Sequence, residues 1–164
     1  MRKFVLFFGL LLFTHLSEAQ NRGETVNTYK TAVGIRASLA PGLSVKTFLS
    51  SGSAFEGILH AREHGILLTG LYEIHKAAFN VNRLNWFYGV GAHVGSFRGG
   101  YYKNSDGTYY TENFITVGID GILGLEYHLT EIPFTIGVDI KPFFDIISPG
   151  FGYWDGGFTL RYAF

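Results

Sequence analysis

Apolar and polar residues exchange places along this chain with a period of two. The longest case runs from Ile115 to Leu129: Ile115, Val117, Ile119, Gly121, Leu123, Leu125, Tyr127 and Leu129 share one parity, and Thr116, Gly118, Asp120, Ile122, Gly124, Glu126 and His128 the other. Successive side chains of a strand point to opposite faces, so the alternation predicts a strand with one apolar and one polar face. Strands of soluble proteins average about five or six residues; this one is long enough to cross a bilayer obliquely.

The same split recurs seven times, predicting strands at about residues 31–38, 43–50, 54–62, 65–76, 86–98, 114–129, 133–146 and 156–164. The breaks between them hold turn formers, as in Ala40-Pro41-Gly42, Ser51-Gly52-Ser53, Asn104 to Gly107 and Ser148-Pro149-Gly150. Counted from the first strand, the fifth link (about Gly99 to Asn113) and the seventh (about Ile147 to Asp155) are expected to be the longest. Both fall at one end of an up-and-down meander. Membrane barrels show this asymmetry, with short periplasmic turns and longer external loops, which would place both termini on the periplasmic side.

The charge sits on the polar parity. Arg36, Lys46, Arg62, Lys141 and Arg161 oppose Glu56, Glu73, Asp120, Glu126 and Asp139, while the central stretches of the apolar parity carry none. A soluble sandwich would also alternate, but its polar face would carry solubilising Lys and Glu, whereas this one is rich in Gly. The expected fold is therefore all-β: an eight-stranded antiparallel transmembrane up-and-down barrel with lipid outside and charge inside. Eight strands enclose a space just wide enough for side chains, so Gly34, Gly89, Gly91, Gly95, Gly118, Gly124 and Gly137 would make room for long neighbours. Charges buried there must be paired. The expected lumen network comprises Arg36, Lys46, Glu56, Arg62, Glu73, His93, Asp120, Glu126, Asp139, Lys141 and Arg161. Simple hairpin centres would set Asp120 level with Lys141, His93 beside Asp120 and Asp139 opposite Arg161. Such an interior is a salt-bridged plug rather than an open channel.

Composition narrows the classes. With 22 Gly, 17% aromatics and one Met, the chain is poorly suited to helices and well suited to strands. Cys is absent, which excludes disulfides, thiolate metal sites and Cys nucleophiles. The net charge of zero offers no basic field for nucleic acid. Met1, Arg2 and Lys3, an apolar run from Phe4 to Phe13, and Ser17-Glu18-Ala19 read as a signal peptide, residues 1–19, cut before Gln20. The apolar run spans only about 15 Å as a helix, too short to cross a bilayer. Residues 20–164 would be the barrel domain, with net charge minus one once Arg2, Lys3 and Glu18 are removed.

The last strand, Gly156 to Phe164, ends on an aromatic, with Phe158, Leu160 and Tyr162 at alternate positions before it. This resembles the C-terminal signature of bacterial outer-membrane β-barrels. Together with the eight strands and the signal peptide, the mature chain resembles the small OmpA, OmpX and opacity-type barrels. The resemblance implies residence in the cell outer membrane among its lipids, and recognition of Phe158, Leu160, Tyr162 and Phe164 by the barrel-assembly machinery during biogenesis. A monomer is expected. Unlike the OmpA type, no periplasmic domain is expected after Phe164.

Candidate chemistry is sparse. His15 leaves with the signal peptide, His64 sits at a turn, and His60, His75, His93 and His128 share the lumen parity on four strands without ligand-pair spacing. No metal site, cofactor site or catalytic residue is assigned, and the chain is expected not to be an enzyme. Gly89 to Gly95 superficially suggests a dinucleotide loop, but its glycines run mid-strand with no helix after them. A lipid-modifying barrel enzyme would need a polar pair on the membrane face, and no His-x-Ser occurs; a narrow pore is the other alternative. The fifth link pairs Tyr101-Tyr102 with Tyr109-Tyr110 around Asp106-Gly107, and Tyr153-Trp154 stands in the seventh. Tyr offers amphipathic contact area at small entropic cost, so these six residues are the candidate surface-binding loops, for adhesion or capture of an extracellular ligand. Their other role would be an interface girdle.

Overall fold

In a computed structural model, residues 29–62, 64–99, 112–147 and 153–164 are described, with only the backbone described for Arg62 and Tyr153. The expected signal peptide and the Tyr101, Tyr102, Tyr109 and Tyr110 cluster lie outside the described residues. Eight strands follow one another: β1 (Thr31–Ala37), β2 (Gly42–Ser50), β3 (Ser53–Arg62), β4 (Gly65–Ala77), β5 (Leu84–Phe97), β6 (Phe114–His128), β7 (Phe134–Ile147) and β8 (Tyr153–Ala163). Each pairs antiparallel with the next, and β8 returns to β1, closing a barrel. The closure is completed by the reciprocal bonds between Thr31 N–H and the Phe164 carbonyl (3.1 Å) and Phe164 N–H and the Thr31 carbonyl (2.8 Å).

The two parities go where the alternation sends them. Val33, Leu43, Leu59, Leu68, Val90, Ile119, Leu123, Val138, Phe158 and their same-parity neighbours stand exposed on the outside of the wall. The opposite parity is buried, and most of its buried residues are polar or charged. The apolar share of the interior is small, centred on Ile58, Leu71, Phe87 and Ile122. This arrangement inverts a water-soluble fold, in which the large apolar side chains would be the enclosed ones.

Two strands start at least two residues earlier than the alternation suggests, β5 at Leu84 and β8 at Tyr153. Gly156 and Gly157 hide the period in β8, because glycine carries no side chain to mark a face, yet the ladder runs through them to Phe143↔Tyr153. The β7–β8 link therefore shrinks to residues 148–152, no longer than the 129–133 link at the opposite end. The expected length asymmetry rests on the β5–β6 link, residues 98–113, alone.

Aromatics gather at the end of the barrel that carries the termini. On the outer face there, Trp86 stacks on Tyr88 at 5.1 Å and Phe134 meets Tyr162 edge-on at 5.4 Å. On the lumen side of the same end, Tyr29 packs on Phe48 (5.1 Å), Phe48 on His75 (4.8 Å), and His75 stacks on Phe87 (5.0 Å). Offset and edge-to-face contacts at these distances are the favoured geometries of aromatic pairs.

Candidate functional site

The interior holds two ionic clusters. The one nearer the termini is centred on Lys46 and Arg161. Lys46 Nζ lies 2.8 Å from Glu73, 3.2 Å from Glu56 and 3.4 Å from Glu126, and 4.1 Å from the centre of the Phe87 ring. Arg161 donates to Glu56, to Glu126 at 2.8 Å and to the Ser44 hydroxyl at 2.7 Å. Two cations thus face three carboxylates, and neutral donors make up the difference. The Tyr29 hydroxyl donates to Glu126 (2.5 Å), the Ser44 hydroxyl to Glu56 (2.6 Å), and His75 Nε2 lies 2.9 Å from Glu73. Short charge-assisted bonds of this kind are the ones strong enough to offset desolvation.

Towards the other end, Arg36 grips Asp139 with two nitrogens (2.5 and 3.2 Å) and Asp155 with a third (2.6 Å). A planar guanidinium fork suits this two-carboxylate geometry. Glycine leaves the space for it, since a Cβ on Gly157 would stand 2.5 Å from the Arg36 guanidinium carbon. Beside this pair, Asp120 accepts from Lys141 (2.8 Å), and His93 lies between Asp120 (2.7 Å) and Asp145 (2.8 Å). Among the described residues, six buried carboxylates (Glu56, Glu73, Asp120, Glu126, Asp139, Asp155) meet four buried Lys and Arg (Arg36, Lys46, Lys141, Arg161).

Arg36, Lys46, Glu56, Glu73, His93, Asp120, Glu126, Asp139, Lys141 and Arg161 all lie inside, while the Arg62 side chain lies outside the described residues. The level pairings expected from simple hairpins need correction. Asp120 is level with Phe143 and with Gly91, and Arg161 with Thr135. Asp120 still reaches Lys141 and His93 by a diagonal of two residues, because long side chains lean across a tilted ladder. The Asp139–Arg161 pair is displaced by four residues and does not form; Asp139 takes Arg36 instead, and Arg161 crosses the lumen to Glu56 and Glu126. Closure brings β1 beside β8 and supplies these partners, which pairwise hairpin folding leaves out.

Five participants stand outside the expected network: His75, Asp155, Asp145, Ser44 and Tyr29. Alternation leaves Asp155 in the seventh link because Gly156 and Gly157 break the pattern, although its parity matches Thr159 and Arg161. Asp145 has the parity of Lys141, a signal that was available. Ser44 and Tyr29 carry no charge to mark them, and Tyr29 precedes β1. Tyr153 and Trp154, expected in a surface loop, belong to β8; Trp154 is 71% exposed on the outer face, level with Pro142. Phe158, Leu160, Tyr162 and Phe164 line the outside of the closing seam. His60 Nδ1–H donates to the Ala40 carbonyl (2.7 Å), and no His, Asp and Glu cluster able to hold a metal occurs among the described residues.

The N-terminal β-barrel domain of Pseudomonas aeruginosa OprF, known from its crystal structure, superposes with a TM-score of 0.61 at 18% identity, covering 87% of this chain and 100% of that one. The chain has the OmpA-type barrel fold. At that identity the likeness is one of fold. No protein-family model and no curated protein sequence matches the chain.

The pairing around Asp120 has a measurable consequence. Asp120→Ala strands Lys141 in the lumen and should cost about 3 to 5 kcal/mol, whereas Asp120→Ala with Lys141→Ala should cost less than the single change. Denaturant unfolding of the three proteins in the same micelles checks the order; a double mutant as unstable as the sum of the singles contradicts the pairing.

Proposed function

We propose that this chain is an integral outer-membrane barrel whose lumen is closed by its ion pairs, and that it serves as a structural component of the membrane presenting external loops for contact with a ligand or surface. The inverted wall carries this reading: apolar side chains exposed on all eight strands around an interior of paired charge. Such a surface requires hydrocarbon around it, and only closed barrels and helices satisfy every backbone group there. The shared fold with a domain of OprF points the same way. Export through a cleaved signal peptide and recognition of Phe158, Leu160, Tyr162 and Phe164 by the assembly machinery complete the reading, and it assigns the chain no catalytic role.

Arg36 of β1, Lys46 of β2 and Arg161 of β8 bind carboxylates of β3, β4, β6, β7 and β8, so charged side chains tie opposite walls across the lumen. An ion crossing this space would have to part several bonds at once. At the far end a cleft of about 420 Å³, lined by His64, Ile66, Ser96, Phe97, Arg98 and Asn113, opens at the base of the β5–β6 link. It supports the surface-contact half of the proposal, since Arg98 and Asn113, which flank the β5–β6 link, line it.

Two measurements test the membrane half. Leu123→Arg, on the outer face at mid-wall, should cost roughly 2 to 4 kcal/mol in liposome unfolding, and Ile115→Arg near the rim only about 0 to 1. Equal costs would oppose a bilayer around the wall. In planar bilayers the purified chain should conduct poorly, and stable large openings would overturn the closed lumen. The contact half is tested by excising residues 101–110: folding should persist while adhesion or ligand capture is lost.

A further inference from the structure

The wall is not uniformly paired. Between β6 and β7 the ladder runs from His128↔Thr135 to Leu123↔Ile140, lapses opposite Pro142, and resumes at Asp120↔Phe143. Proline has no N–H to give to a neighbour and is normally confined to edges and bulges. Above the lapse the register shifts between Val117 and Gly118, so that Ile146 and Ile147 both turn outward. On its other side, the β7–β8 ladder ends at Phe143↔Tyr153. The tip of β7, Phe144 to Ile147, is therefore held by β6 alone among the described residues and joined to the rest of its ladder through a gap.

One side chain spans that weak tip. His93 of β5, Gly118 of β6 and Asp145 of β7 lie in a single row, His93↔Gly118 and Gly118↔Asp145. Because Gly118 has no side chain, the His93 ring passes over it; a Cβ there would collide with the ring. Nδ1 lies 2.7 Å from Asp120 and Nε2 lies 2.8 Å from Asp145. A neutral imidazole carries one N–H, and its other nitrogen would present a lone pair to a carboxylate. The doubly protonated ring donates to both. The groups facing the ring are Thr69 of β4, Thr116 and Asp120 of β6, and Lys141, Phe143 and Asp145 of β7, with Phe143 edge-on at 5.8 Å. The Arg36–Asp139–Asp155 group and His60 stand across the lumen.

We propose that protonated His93, reaching over Gly118 to Asp145, is a clasp that holds the outer tip of β7 to the barrel, and that loss of one proton from the ring frees this tip. The tip leads into the β7–β8 link, so the switch acts on the surface the barrel turns outward. The sign follows from the donor count: the clasp is closed in acid and released as pH rises through the titration of the ring.

Hydrogen exchange of the full chain in micelles, corrected for intrinsic rates and compared between pH values on either side of the titration, tests this directly. Amides of Phe144 to Ile147 should lose protection by about tenfold on the alkaline side, while those of Phe134 to Ile140 stay constant. In His93→Gln the tip should be poorly protected at both. In Asp145→Asn, whose amide can accept from the charged ring or donate to the neutral one, the pH response should flatten. A wild-type tip equally protected at both pH values, or a pH response that survives His93→Gln, overturns the clasp.

Discussion

Closure of β8 onto β1 is the constraint from which the rest of this structure follows. An open sheet of eight strands would leave two rows of unpaired N–H and C=O groups, and no side chain could satisfy them along their whole length. Once Thr31 and Phe164 exchange their bonds, the backbone is self-sufficient and the outside can be apolar throughout. The same closure sets the bore. Eight strands leave room for side chains and little else, so whatever points inward must find its partners there.

That requirement explains why the interior pairs are so distant in sequence. Arg36 meets Asp139 and Asp155 across separations of 103 and 119 residues, and Arg161 meets Glu56 across 105. None of these bonds exists in an isolated hairpin. They form when the ring closes, and breaking one end leaves a charge with little water to receive it, which couples closure of the wall to assembly of the interior. Carboxylates outnumber Lys and Arg inside, and the balance is met by donors that carry no formal charge, Tyr29 and Ser44 among them. Neutral donors satisfy lone pairs on Glu126 and Glu56 that a purely ionic count would leave open.

The sequence disclosed sidedness far better than partnership. Period two survives any even slip of register, so Asp120, Lys141 and Arg161 could be assigned to the lumen from parity alone, whereas their partners depend on hairpin centres that parity does not specify. The errors are physical in origin. Gly156 and Gly157 have no side chain to mark a face, so alternation shortens β8 and leaves Asp155 in the link. The Asp139–Arg161 pairing failed because it considered neighbouring strands only, while a closed ring lets Arg161 reach β3 and β6 across the bore. Tyr29 could not be found by alternation at all, because it acts from outside the strands.

The two ends of the barrel differ in kind. At the end bearing the termini the wall is sealed by reciprocal backbone bonds, filled by the Tyr29, Phe48, His75 and Phe87 rings, and cross-braced by Lys46 and Arg161. At the other end one strand runs past its β8 partner, carries a proline in its ladder and bulges near its tip. A wall could be regular throughout, since nothing in closure requires a defect in β7. Ladder bonds lost around Pro142, with Gly118 left bare for a histidine that reaches from β5 to β7, concentrate conformational freedom at the end where the long β5–β6 link emerges. The braced end can then hold the fold while the outer rim changes shape, because the two ionic clusters share no side chain: Lys46 and Arg161 never touch the carboxylates bound by Arg36, Lys141 and His93.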